Sequence, residues 1–490
     1  MASVLALQGQ RHLLSVLWVR RLTEHPVGHG ASILLPAVLV VALGFANRAP
    51  TAPRGDGTRG QILLITLDTA RADRFRFNSP DSGVEMPFLD GLAARSTVFR
   101  AAFSTAPLTS PAHTSMFSGL DVDRHGVVSN SQRLKHDLPW IPAQLAEDGW
   151  CTQAVVSTAV LAGRLGFQRG FDRYDSTLHH RWWLGNPVLN WFDTPSDKGL
   201  SHQRTGWATA GITEMLPACE RRFTWVHLYD AHWPYEPDTE ARRLAGVSPD
   251  AGIDEVFRAQ PFRETDDAKV PDAGTSALGI SLYDAQFHEL DRILQRLVSS
   301  FPNDTTVIVV GDHGESLGEH DYWFRHGRLP YAPDTWVPLV VHVPGQPPRV
   351  VDSPVSVTDI GPTLLELAGL PIPPDLDGVS LMHPEPNRVV VSRSFRNILP
   401  FLPKSDPGAE VGRYGGVAIR AGSRSQVASS WAERANFDRR TDPLEIDGST
   451  PVAGDLSRRF ERAAQSRPQP DVPVADPELD EALEVLGYVD

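Results

Sequence analysis

Two cysteines, Cys151 and Cys219, are all the thiol that 490 residues contain. That is too little for a disulfide scaffold or a thiolate zinc cluster. The two read first as small buried residues, with one bridge open to them if the chain is exported. Positive charge is also short: 46 Lys and Arg stand against 60 Asp and Glu, a net charge of -14. Broad nucleic-acid binding needs a basic footprint, so no nucleic-acid partner is expected. Long apolar runs are missing but for one, which excludes a multi-span membrane protein. With 41% hydrophobic and 22% charged residues, a wholly disordered chain is excluded as well.

The one apolar run is ASILLPAVLVVALGFA, from Ala31 to Ala46, preceded by Arg11, Arg20 and Arg21. It is shorter than the ~20 residues a bilayer span needs, and Pro36 interrupts it. It suits a signal-peptide core, with Gly44 and Ala46 as small residues before a cleavage site, or a short membrane anchor. The chain is therefore expected outside the cytoplasm, periplasmic or extracellular, free or anchored through residues 31–46. Residues 1–60 read as this segment followed by a Pro-, Arg- and Gly-rich linker.

Beyond the linker, Gln61 to Leu67 is apolar and ends at Asp68. Such a run marks a strand buried on both faces of an α/β sheet. Thr152 to Ser157, Phe223 to Tyr229 and Thr305 to Val310 repeat the pattern. Helix-like stretches fall between them, at Trp140 to Asp148, His202 to Leu216 and Ser281 to Val298. The alternation predicts an α/β fold around a large, mostly parallel sheet over residues 61–371. After Pro371, strand-like segments at Arg388 to Val391 and Gly416 to Arg420 predict a smaller subdomain with an antiparallel sheet. It spans residues 372–490, with a loose tail and a last helix near Glu478 to Leu486.

Functional groups in such sheets gather beyond the carboxyl ends of the strands. Asp68, Asp230 and Asp312 all stand there. Asp312-His313 offers adjacent oxygen and nitrogen donors, and Asp68 adds a second carboxylate, a set suited to a divalent cation. Asp230 and His232 are candidates for a second metal, against a simple capping role for Asp230. Thr109-Ser110-Pro111 opens a helix, where a hydroxyl reads first as an N-cap. The functional alternative places Thr109 at the positive helix end beside the metal, as a nucleophile. His125 reads as structural, and His227, flanked by Val226 and Leu228 in a strand, as a core histidine.

Six pieces, in order, resemble the sulfatase family of the alkaline phosphatase superfamily. They are Leu67-Asp68-Thr69, Thr109-x-Pro111-Ala112-His113, Asp230-Ala231-His232-Trp233-Pro234-Tyr235, Gly311-Asp312-His313-Gly314-Glu315, the Val355 to Leu365 stretch, and Leu486-Gly487-Tyr488-Val489. The resemblance runs from Gln61 to Asp490 and implies an alkaline-phosphatase-like sandwich. It makes Asp68, Thr109, Asp312 and His313 ligands of a divalent cation: calcium, magnesium, zinc or manganese. It puts Thr109 at the nucleophile position. His113 stands where the family has an anion-holding arginine, while His232 and His326 match residues that contact the ester group.

Two positions depart from that pattern. Sulfatases usually act through formylglycine made from Cys or Ser, which Thr109 cannot yield, so no formylglycine is expected. Thr69 stands where many sulfatases have a further aspartate ligand. The Gly311 to His326 loop is also similar to that of phosphoethanolamine transferases, which use a threonine. The expected activity is hydrolysis of sulfate or phosphate esters on a small-molecule, glycan or lipid substrate. The alternatives are a membrane-anchored phosphotransferase and a catalytically silent binding module.

Overall fold

The computed structural model describes residues 60–81, 83–177, 204–251, 271–396, 413–429, 432–448 and 454–465. The apolar segment 31–46 and the helix expected near residues 478–486 lie outside them. Among the described residues, no helix is long and apolar enough to cross a membrane.

Eight strands form the main sheet: β1 (Gly60–Leu67), β2 (Thr97–Phe99), β3 (Cys151–Val155), β4 (Arg173–Asp175), β5 (Arg221–Leu228), β6 (Thr306–Gly311), β7 (Leu339–His342) and β8 (Arg349–Val351). Their spatial order is β8-β2-β7-β6-β1-β5-β3-β4. β7 alone runs against the others, pairing antiparallel with β2 and β6. β1 lies at the centre, parallel to both neighbours.

The apolar runs are strands because both sheet faces are covered, and each face takes alternate residues. Ile62 and Leu64 pack on one side with Phe223, Trp225, Ile308 and Val310, under helix α1 (Thr109–Ser118). Leu63, Ile65 and Leu67 pack on the other with Val226, Leu228, Val307 and Val309. There the cover is α2 (Gly206–Glu214) and the long α3 (Ala273–Ser299), whose Leu282, Tyr283, Phe287, Leu290 and Leu294 line the contact. α3 starts eight residues before the expected Ser281, because Asp272 caps it by accepting the N–H groups of Gly274 and Thr275. α4 (Ile360–Leu367) closes the α1 side.

The antiparallel sheet expected after Pro371 has four strands: β9 (Val389–Arg396), β10 (Arg413–Ala421), β11 (Arg424–Ser429) and β12 (Ala432–Asp438). It joins the main body through apolar packing, Val390 against Phe103 and Trp336 and Phe395 against Val122 and Val128, and through polar contacts. The Ser392 hydroxyl donates to Ser104 O, and the buried Arg420 guanidinium holds Glu445 and Pro330 O.

One expectation is corrected. Cys151 and Cys219 are partly exposed and joined in a disulfide, with Cα atoms 6.3 Å apart across 68 residues. The bond ties the first residue of β3 to the segment entering β5. Pairing depends on the register of those two strands, which neither cysteine's local sequence reveals.

Candidate active site

β1, β5 and β6 end level. Leu67 is in register with both Leu228 and Gly311, the Asp68 N–H donates to Leu228 O, and the Asp312 N–H donates to Leu67 O. The residues that follow these strands therefore meet above one edge of the core. The start of α1 arrives at the same place, and Thr109 Oγ1 lies 3.3 Å from His313 Nε2. Asp68, Thr109, Asp312 and His313 are all buried.

Thr109 is not the N-cap that its position suggested. Leu108 occupies the capping position without a side-chain bond, and the first turn is served from elsewhere, by Asn130 Oδ1 accepting the Ser110 N–H. The Thr109 hydroxyl is thereby left to the site. The Ser110 hydroxyl is not, since it donates to Val160 O at 2.8 Å.

The carboxylates carry the strongest signal for a cation. Asp312 Oδ1 accepts the N–H groups of His313 and Thr69, but its Oδ2 and both oxygens of Asp68 have no hydrogen-bond partner. Buried carboxylate oxygens without partners cost several kcal/mol each unless a positive charge faces them. His313 Nε2 sits 3.6 Å from Asp68 Oδ1 and 3.8 Å from Asp312 Oδ2. Ligand atoms of Asp68, Asp312 and His313 all lie within 4.8 Å of one another. Burial pushes the Asp68 carboxyl up to about 6. Burial, then the charge of Asp68, pushes Asp312 well above the usual carboxylate range. A bound divalent cation would reverse both effects, so these residues fit one.

Thr69 holds φ +50°, uncommon for a β-branched residue. Neighbours hold it there: its N–H donates to Asp312 Oδ1 and its carbonyl accepts the Tyr283 hydroxyl at 2.7 Å. Its side chain supplies no carboxylate to the cluster.

His232 and His326 complete the cluster. The His326 ring centroid is 4.5 Å from that of His313 and 5.0 Å from that of His232. Glu315 Oε1 lies 3.1 Å from His326 Nδ1. His232 stacks on Tyr229 and donates from Nδ1 to Trp233 O at 2.6 Å. Burial lowers its imidazole to about 4, against the pull of Asp68.

Two expected residues sit differently. Asp230 Oδ1 accepts the Gly206 N–H at the start of α2, a capping geometry, and burial raises its carboxyl to about 7. Among the described residues, no group of three potential metal ligands includes Asp230 or His232. His113 has both ring nitrogens engaged within the core. Its Nδ1 is 2.9 Å from Thr109 O, and its Nε2 is 3.0 Å from Thr66 Oγ1. Because a carbonyl only accepts, Nδ1 carries the proton. His125 is structural as expected, held between Ser115 Oγ and the Val127 N–H.

The sequence placed His227 in the core and Glu315 in a motif without a role of its own; the structure brings both to the cluster. His227 Nε2 approaches Asp68 Oδ2 to 3.3 Å, and its signal was its place one residue before the end of a parallel strand beside β1. Glu315 closes the Gly311–Glu315 motif.

A model of the family described as Sulfatase matches residues 61–370. The chain belongs to the sulfatase family. Sulfatases are ester hydrolases, typically metal-dependent, and this one is an ester hydrolase too. It is similar to the choline-sulfatase of Rhizobium meliloti (strain 1021), at 24% identity over 441 residues, 79% of this chain and 81% of that protein. It is similar to arylsulfatase K of Bos taurus, at 24% identity over 417 residues, 75% of each chain. The chain also shares the fold of the phosphonate monoester hydrolase from Silicibacter pomeroyi. That match has a TM-score of 0.63 at 20% identity, over 83% of this chain and 94% of that one.

Proposed function

We propose that this protein is an exported hydrolase of sulfate or phosphate esters, acting on a small-molecule, glycan or lipid substrate with Thr109 as nucleophile. One observation carries the reading: the Thr109 hydroxyl stands at the N-terminus of a ten-residue helix, beside His313 and the unpartnered oxygens of Asp68 and Asp312. Asp68, Thr109, Asp312 and His313 would hold a divalent cation. When bound, it supplies positive charge that favours the Thr109 alkoxide and the oxygens of the transferring group.

Thr109 releases its proton to solvent as Oγ1 attacks the central sulfur or phosphorus, and the bond to the leaving oxygen breaks. Protonated His232 or His326 gives that oxygen its proton. Water then opens the bond to Thr109, returning one proton to the Thr109 oxygen and the other to the imidazole. Glu315 holds the His326 ring, while His113 acts as a positioning residue by fixing the Thr109 carbonyl from inside the core. Residues 61–371 carry this chemistry, with 372–490 as the smaller subdomain.

The threonine favours phosphorus over sulfur. A phosphorylated threonine is released by assisted water attack. A sulfated one lacks the elimination route that a formylglycine hydrate provides. The test is a matched panel of aryl sulfate, aryl phosphate and aryl phosphodiester, assayed with and without added divalent cations. The expected ranking puts a phosphorus ester first and requires the cation. Turnover of aryl sulfate alone would overturn the preference for phosphorus, and no turnover of any ester would overturn the reading itself.

A further inference from the structure

His227 lies beside Thr66 in the β1–β5 register, on the face that α1 covers. Its Nδ1 is 3.0 Å from Ser157 Oγ, and that same hydroxyl lies 2.6 Å from the His227 carbonyl oxygen. A carbonyl only accepts, so the single Ser157 proton goes to it. Ser157 Oγ can then only accept from the ring, which places the proton of a neutral His227 on Nδ1. The lone pair is left on Nε2.

That lone pair faces an acceptor. Nε2 is 3.3 Å from Asp68 Oδ2, and neither atom has a hydrogen-bond partner. Both are buried, so water cannot relieve the repulsion cheaply. His313 has the same tautomer: its Nδ1 donates to Gly314 O at 2.9 Å, and its Nε2, 3.3 Å from Thr109 Oγ1, also faces Asp68 Oδ1 at 3.6 Å. Asp68 thus stands between two imidazole lone pairs, one at each oxygen. Ligand atoms of His227 and Asp312 also fall within 4.8 Å of one another, in a group with His113. His113 is not a ligand on the same reasoning, because its Nδ1–H is spent on Thr109 O and its Nε2 is turned to Thr66.

We infer that His227 is a metal ligand, binding through Nε2 a divalent cation held on the Oδ2 side of Asp68. The inference rests on the metal site of the proposed function, whose Asp312 it shares. An imidazole ligand on the Oδ2 side moves the preference there from calcium and magnesium towards zinc or manganese.

The test titrates the metal-free full-length protein with zinc and with calcium by calorimetry, for wild type, His227→Gln and Asp312→Ala. Zinc affinity should fall at least ~10-fold in His227→Gln, the loss typical of disturbing a metal's imidazole support. Calcium affinity should change far less, and Asp312→Ala should lose both metals. Wild-type zinc affinity in His227→Gln, with loss in Asp312→Ala, overturns the inference and leaves the metal site standing. Wild-type affinity in both overturns the site as well. A second measurement needs no variant. In wild-type protein labelled with nitrogen-15 at histidine, zinc should shift the Nε2 signals of both His227 and His313. A shift of His313 alone overturns the inference even if His227→Gln does not fold.

Discussion

Thr109 and Ser110 carry the same functional group one position apart, yet only one of them faces the carboxylates. Thr109 Oγ1 points to His313, whereas Ser110 Oγ is committed to Val160 O on the far side of the turn. Ser110→Ala therefore removes one buried hydrogen bond, worth about 1 kcal/mol, and nothing that touches the ester. The catalytic rate constant should stay within about threefold of wild type, since 1.4 kcal/mol of barrier would be needed for tenfold. Steady-state kinetics checks this, and a loss comparable to that of Thr109→Ala would show the helix start to be misread.

The helices place these side chains, and two substitutions test how. In α3, Gly279 sits where an added Cβ would come within 2.4 Å of the buried Phe324 ring. Helix propensity alone would reward Gly279→Ala by up to about 1 kcal/mol. Overpacking a tight core costs about 1–3 kcal/mol, so the clash wins. Urea denaturation should show net destabilisation, and a stabilised variant would contradict the packing. The second case is Asp121, just before the short helix Val122–His125. Burial, then the charge of Asp377, raises its carboxyl from 3.8 to about 7. Across that window the folded chain keeps a proton that the unfolded chain has released, so stability falls as pH rises. Asp121→Asn should accordingly raise the melting temperature at pH 8 and give little gain below pH 4, where wild type is protonated in both states. An equal gain at both pH values would contradict the assignment.

Across the molecule, the ends of β1 and β6 and the start of α1 converge at the Asp68, Asp312, His313 and Thr109 cluster, so a cation there ties three elements together. Chelation should lower the melting temperature and divalent cation should restore it, because a ligand of the folded state alone stabilises by mass action. Indifference to chelator would argue that the carboxylates hold no cation. Much of this arrangement was legible in the sequence. An apolar run closed by Asp68 or Asp312 is a strand end whatever surrounds it, and parallel register then makes the two acids neighbours. What escaped depends on distant partners. The α1 cap is Asn130, twenty residues downstream of Ser110. The bridge spans 68 residues. The tautomer of His227 is set by Ser157, seventy residues away. Glycines 274 and 279, poor helix formers, concealed the first turns of α3 until the Asp272 cap and the Phe324 contact explained them.

The central claim is that the Thr109 oxygen forms and breaks a bond to the ester's central atom. Its most direct measurement is the turnover rate of Thr109→Ala on the best aryl ester of the panel, with folding verified by an unchanged circular dichroism spectrum. The account predicts a fall of roughly 10³-fold or more, as expected when a nucleophile is removed. A rate within a few-fold of wild type would contradict it.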